Sequence, residues 1–392
     1  MGFVQLILST YFYLIFDFTT NRWIFAANQS LHSLPNAPIR VLLLSTVHQP
    51  NDPRIAGKIA PVLAEKYEVF RPTFSIIKQL IWRLVRLQPL VLWHFLRFRP
   101  HIVHIFVPEL LPLAFVFRWL GAVVIYEVQE NLYQKFPTKT YNRGWLLEQL
   151  FAFFDRRARR CFYFIFTEEG YLKEYQNLMH AHEIVHNFAD LKWTKTPLPQ
   201  PTGFDFFYAG VISTNRALDT MLAAIALVST QYPAVRLHLF GQVSWPLNNL
   251  PHYFETKENL VFYGYQTQET AFRQAQNCRA GLALLKPVGD YLDSYPSKLF
   301  DYMALGLPVV VSDFPLYAAM PNFEKYGFRC SPHDAQQLSE ILIWLIEHPE
   351  EAQEMGKKGR EAVENQYNWP AEAQKMLDLY EKLSRLQQQK SE

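Results

Sequence analysis

Cysteine is scarce in this chain of 392 residues: Cys161, Cys278 and Cys330 stand far apart, outside any Cys-x-x-Cys or Cys/His cluster. That argues against a disulfide framework or a structural zinc site and fits a reducing compartment. Long apolar runs are missing as well. The strongest, residues 3–16, is interrupted and falls short of the ~20 residues of a membrane span. No basic segment precedes it and no small-residue cleavage site follows, so a signal peptide is not expected. The expectation is a helix docked on the domain or an interfacial anchor. The Gly-x-Gly-x-x-Gly pattern is absent after the first strand, which disfavours a dinucleotide cofactor. No DNA-binding motif occurs, and the basic residues do not interleave with a recognition helix, so nucleic acid is not an expected partner.

What is present points to large cores. Hydrophobic residues make up 49% of the chain and aromatics 16%, so global disorder is excluded. The length suggests two domains. Net charge is only +2, but it is unevenly spread. Residues 1–200 hold 22 Lys+Arg against 14 Asp+Glu, or +8; the remainder holds 16 against 22, or −6. The basic half suits an anionic membrane, a nucleic acid or an acidic ligand. Within it, residues 76–99 place Lys78, Arg83, Arg86, Arg97 and Arg99 beside Trp82 and Trp93. Basic residues flanking tryptophan favour an anionic membrane surface over a merely solvated helix face. Pro89 is expected to break this run into two helices.

Strands and helices alternate throughout. In the first half, strands are expected at 39–45, 67–70, 102–106, 123–126 and 162–166, with helices at 55–65 and 143–160 and another opening at Pro108. Glu127, Gln129, Glu130 and Asn131 are read as an exit loop. The proline-rich stretch Pro197-Leu-Pro-Gln-Pro201 marks a linker. A second series follows, with strands at 206–209, 235–240, 260–263 and 280–285 and a helix at 217–230. A charged tail runs as one helix to Gln366 and a last one from about Pro370. The rhythm predicts an α/β protein of two Rossmann-like, doubly wound domains. The expected units are an apolar extension (1–36), a first domain (37–196), a second domain (203–369) and a C-terminal helical tail (370–392) that could pack back on the first domain.

The most informative stretch is Asp293-Ser-Tyr-Pro-Ser-Lys-Leu-Phe-Asp301, followed by Gly306, Pro308 and Val309-Val-Val. It reads as a loop, a short helix with Pro296 in its first turn, a glycine stop and a buried strand. A helix start of this kind aims free N–H groups and a positive dipole end at whatever precedes it. With Asp293 and Asp301 bracketing the junction, it suits a phosphorylated ligand carrying sugar hydroxyls.

Two further segments complete a pattern: Gly210-Val-Ile-Ser-Thr-Asn-Arg216, and in the first half Val47-His48 through Asp52-Pro-Arg54, His104 through Pro108-Glu-Leu, and Tyr126 through Asn131. In order and spacing these resemble the family 4 retaining glycosyltransferases of the GT-B fold, of the bacterial cell-surface polysaccharide type, over about Ile39 to Leu383. The family's Glu-x7-Glu pattern is matched here by Asp293-x7-Asp301. The resemblance implies two domains facing across a cleft and a nucleotide-sugar donor, a UDP- or GDP-sugar. The acceptor is lipid-linked or a polysaccharide. No metal and no cofactor are implied, the donor being a substrate. Catalytic candidates are Asp293, Arg216 and Lys298. Donor-binding candidates are Gly210, Arg216, Gly264, Tyr265, Tyr295, Pro296, Ser297, Lys298, Leu299 and Asp301, with Asp301 at the ribose and Asp293 near the donor sugar. On the acceptor side stand His48, Asp52, Arg54, Gln129 and Glu130. The implied location is cytoplasmic, peripheral on the inner face of the cell membrane. Departures from the family pattern are the two Asp for Glu, Val211 where many relatives have Arg, Gln129 where close relatives have His, and Val107 where they have Asp. They leave a non-catalytic binding subunit of the same fold as the rival reading, with a nucleotide-sugar epimerase behind it.

Overall fold

Segments such as Val41-Leu42-Leu43-Leu44 and Val309-Val310-Val311 are apolar on both faces, and such strands need helices on both sides. All seven side chains are fully buried. The computed structural model describes residues 13–17, 22–26, 38–75, 77, 79–135, 145–244 and 246–391. Fourteen strands occur among them. β1 (Tyr13–Asp17) and β2 (Arg22–Ala26) form an antiparallel ribbon. Of the apolar segment 3–16, the described part is thus a strand, which corrects the docked helix, one of the two expectations for it; residues 3–12 lie outside the described residues, as do Lys78 and residues 143–144.

The first large sheet holds β3 (Arg40–Leu44), β4 (Glu68–Phe70), β5 (Ile102–Ile105), β6 (Val123–Val128), β7 (Tyr163–Phe166) and β8 (His182–Ile184), all parallel, in the order β4-β3-β5-β6-β7-β8. The second holds β9 (Asp205–Ala209), β10 (Arg236–Phe240), β11 (Leu260–Gly264), β12 (Ala280–Ala283), β13 (Val309–Ser312) and β14 (Gly327–Cys330), in the order β11-β10-β9-β12-β13-β14. Both are doubly wound. The order reverses between β3 and β5 in one and between β9 and β12 in the other, so ligands are expected beyond the carboxyl ends of those strands.

Several local expectations shift. β6 continues to Val128, so Glu127 belongs to the strand and is buried rather than lying on an exit loop. Pro89 does not break the basic segment: the chain stays helical over Leu80–Trp82, Arg83–Leu87 and Gln88–Phe98, and the middle stretch is a π-turn. Wider turns of this kind absorb the amide that proline lacks. Pro349 divides the tail into Ala335–Glu347 and Pro349–Asn365. Strand β14 was not anticipated; with Arg329 between Phe328 and Cys330, the segment shows little apolar pattern.

The last helix, Trp369–Ser391, packs on the first sheet through Met376, Tyr380 and Leu383. Its Tyr380 hydroxyl meets His104 Nδ1 at 2.8 Å. His104 faces Glu127 at 3.4 Å, and Arg54 Nε donates to Glu127 at 2.7 Å. Burial alone would raise the Glu127 carboxyl, but Arg54 and His104 outweigh it and hold it at about 2.

Glu127→Ala would leave the Arg54 guanidinium buried without its carboxylate. Stability by urea unfolding should fall by about 3–5 kcal/mol. Because the Glu127 carboxyl is held below its unfolded value, its contribution is present at neutral pH and lost as pH falls towards about 2. A loss under about 1 kcal/mol would show that the pair does not organise this region.

Candidate functional site

The reversal point of the second sheet brings together three of the donor-side candidates, Gly210, Arg216 and Lys298. β9 ends at Ala209, and Gly210 turns with φ 141°. Beside it Gly241 turns with φ 138° after β10, and a Cβ there would lie 1.9 Å from the Gly210 carbonyl oxygen. Only glycine lets these two loops touch backbone to backbone. Lys298, in the first turn of the helix Ser297–Leu305, reaches back under this crossing. Its Nζ lies 4.0 Å from the centre of the Tyr208 ring and would sit 3.0 Å from a Cβ at Gly210. The side chain is 7% exposed, and its ammonium has no hydrogen-bond partner. Burial, with the positive charge of Arg216 beside it, pushes Lys298 well below the usual lysine range. Arg216 is itself half-buried, 5.7 Å from the Tyr291 ring. The Lys298 amine and the Arg216 guanidinium thus converge near the start of a helix, an arrangement that favours a multiply charged anion, which would in turn favour the protonated lysine.

Asp301 stands three residues after Lys298, on the same helix face. Gln268 Nε2 donates to it at 3.3 Å. Burial raises its carboxyl to about 6 against the pull of Lys58 and Gln268. Lys58 belongs to the first domain. It donates to Asn187 Oδ1 at 2.8 Å and to the Phe188 carbonyl at 2.7 Å, and burial lowers it to about 8. The sequence carries no signal for Lys58, which reads as an ordinary helix lysine. Gly264 (φ 66°) and Tyr265, 71% exposed, flank the open end of β11. Ser297 is exposed at the helix start, while Pro296 precedes the helix as its cap rather than lying in its first turn. The Leu299 side chain is buried in the core, and its N–H donates to the Pro296 carbonyl. Tyr295 packs on Phe300 and Tyr317 and donates to the Leu316 carbonyl at 3.3 Å.

Asp293 is drawn into the first domain. Lys173 reaches it at 2.6 Å and Gln134 donates at 3.1 Å. Burial raises this carboxyl, but those two partners outweigh it and keep it below the usual range. Beside it Asp290, 1% exposed, accepts from the Asn131 N–H at 3.1 Å and the Tyr171 hydroxyl at 3.0 Å, and pairs with Lys135 at 3.2 Å. Asp290 was missed because its partners lie more than 100 positions away.

Among the acceptor-side candidates, His48 Nδ1 meets Ser45 Oγ at 2.6 Å. Asp52 accepts from the N–H groups of Arg54 and Ile55 at 3.0 and 2.8 Å, capping the helical segment that follows. Arg54 is directed inward, to Glu127 and to the Val185 carbonyl at 2.8 Å. Gln129 donates to Glu127 at 2.7 Å, and Glu130, exposed, pairs with Lys135 at 2.9 Å. Glu168 and His186, not singled out in the sequence, approach to 3.6 Å at the ends of β7 and β8, and burial raises the Glu168 carboxyl.

Two parallel six-stranded sheets joined by a linker, with a last helix returning to the first, make this a GT-B fold of the kind found in glycosyltransferases. Residues 192–362 match the family described as glycosyl transferases group 1. Similar solved structures include a sucrose-phosphate synthase from Thermosynechococcus elongatus, at TM-score 0.71 and 16% identity over 89% of this chain and 100% of that one. HepE from Anabaena, in complex with UDP-glucose, gives 0.66 and 12% over 88% and 100%. TarM from S. aureus gives 0.56 and 17% over 71% and 54%. At such identities the likeness speaks for the fold. No curated protein sequence matches this chain.

Lys298→Met keeps the aliphatic stem and deletes the unpartnered ammonium. The ligand-free protein should then gain roughly 1–3 kcal/mol in urea unfolding, the usual cost of an unsatisfied buried polar group. A loss of stability would show that the ammonium has a partner in the protein.

Proposed function

We propose that the chain transfers a sugar from a UDP- or GDP-sugar to a lipid-linked or polysaccharide acceptor, with retention and without a metal ion. The observation that carries this reading is the buried Lys298 ammonium beside Arg216, set under the Gly210 turn at the reversal point of the second sheet. As the anomeric C–O bond breaks, its electron pair passes to the diphosphate oxygen. Charge develops there, and preorganised cations and helix N–H groups stabilise it. Lys298, Arg216 and the helix start at Ser297 take that role. Asp301 accepts from the ribose hydroxyls. The acceptor hydroxyl forms the new bond on the same face and yields its proton to a phosphate oxygen. Asp293 then acts as a contact to the donor sugar, not as a nucleophile. His48 and Gln129 face the acceptor. The match to glycosyl transferases group 1 and the UDP-glucose complex of HepE support a nucleotide sugar as donor. The reaction is assigned to the cytoplasmic face of the cell membrane.

One observation favours the rival, a binding subunit without turnover: both carboxylate oxygens of Asp293 are engaged by Lys173 and Gln134. Release of free or transferred sugar from a nucleotide sugar would exclude it.

Calorimetric titration with UDP and GDP tests the donor site. Asp301→Ala should weaken the preferred nucleotide about tenfold or more, the loss of charge-assisted hydrogen bonds. The wild-type protein should also lose affinity as pH falls through about 6, where the Asp301 carboxyl takes up a proton and accepts fewer hydrogen bonds. Asp301→Asn should flatten that dependence. Unchanged affinity in Asp301→Ala for both nucleotides would remove the residue from the site.

A further inference from the structure

The helices covering one side of the first sheet have an outer surface unlike the rest of the chain. Leu80–Phe98, Leu111–Trp119 and Trp145–Cys161 lie side by side, and their inner faces meet through Val91, Phe95, Phe117, Phe151 and Ala158. Their outer faces expose Trp82 (45%), Leu90 (42%), Trp93 (48%), Val116 (37%), Leu150 (47%) and Phe153 (49%). Large side chains exposed together on adjacent helices form the kind of patch that marks an interaction surface.

The fully exposed charged residues on this layer are all arginines. Arg86, Arg97, Arg118, Arg156, Arg157 and Arg160 are exposed on it. The first two helices contain no acid, and the third contains only Glu148 and Asp155, the latter buried and paired with Arg159 at 2.7 Å. Three arginines lie against exposed aromatic rings: Arg86 at 4.9 Å from Trp82, Arg97 at 5.6 Å from Trp93 and Arg157 at 5.7 Å from Phe153. An aromatic ring with a guanidinium beside it matches the boundary between acyl chains and anionic headgroups. No helix among the described residues is long and apolar enough to cross a membrane.

We infer that this three-helix face docks on an anionic lipid bilayer, lying in its surface plane. The inference extends the membrane location proposed above and does not depend on the glycosyl-transfer reading. A link to the cleft runs through Glu109. Its carboxylate accepts from Arg83 Nε and from the Thr46 hydroxyl, both at 2.8 Å, and its carbonyl accepts from Gln88 at 3.0 Å. Thr46 opens the loop that carries His48. One buried carboxylate therefore joins the lipid-facing helix to the loop that carries His48.

Co-sedimentation of the full chain with vesicles tests the docking. Binding is expected to mixed phosphatidylglycerol–phosphatidylcholine vesicles, not to phosphatidylcholine alone, and should weaken as salt rises. The double variant Arg97→Glu with Arg157→Glu should lose about tenfold or more in partitioning. Trp93→Ala should also bind more weakly, while Trp93→Phe keeps binding. Thermal unfolding of each variant by circular dichroism confirms that it is folded, and nucleotide titration reads the donor site separately. Equal binding to both vesicle types, or variants that bind as the wild type does, would overturn the inference. So would self-association of the wild type that the same variants abolish, which would make the face a protein contact.

Discussion

The buried pair of Arg54 and Glu127 draws together segments that lie far apart along the chain. Glu127 sits on a central strand, Arg54 on the loop after β3, and the chain reaches His104 and Tyr380 from the same carboxylate. Arg54 also ties to β8's exit through Val185. Five segments converge on one charge pair, among them the last helix, which leaves the second domain and ends on the first. A buried ion pair contributes little net stability compared with an apolar core of equal volume, but it penalises every arrangement that leaves one partner alone. Through His104, the Tyr380 hydroxyl joins the last helix to this pair.

The second domain carries the opposite situation, a buried cation with no acid. Tyr208 presents its ring face to the Lys298 ammonium, which softens but does not cancel the loss of water. The site is therefore unfavourable alone and improves with an anion. The two acids nearest by sequence are used elsewhere: Asp293 is claimed by Lys173, and Asp301 lies towards Gln268 and Lys58. Asp290 and Asp293 extend the same loop into the first domain, so contacts between the domains and the donor-side chemistry share one short segment.

The alternation of strands and helices was legible because parallel strands buried on both faces are continuous apolar runs, and because Gly306 and Pro308 end a helix by local geometry. Both sheets followed from the same rules. Expectations failed where a local rule met a tertiary contact. Pro89 would end an isolated helix, yet the packing of Val91 and Phe95 keeps this one continuous through a π-turn. Glu127 looked like a loop acid because carboxylates are rarely buried; Arg54 and His104 make its burial tolerable.

Sequence alone determined the fold class, the two-domain order, the glycine turn and helix start that collect Gly210, Arg216 and Lys298, and the basic aromatic segment around Trp82 and Trp93. These depend on periodicity, backbone freedom and short-range spacing. Only the tertiary structure decided that Arg54 is directed inward, that Asp293 is held by the first domain, that Lys58 faces Asp301, and that three helices pool their exposed rings and arginines on one side. Those outcomes rest on which partner a charge meets, and the partners lie far apart along the chain: 73 positions for Arg54 and Glu127, and 120 for Lys173 and Asp293.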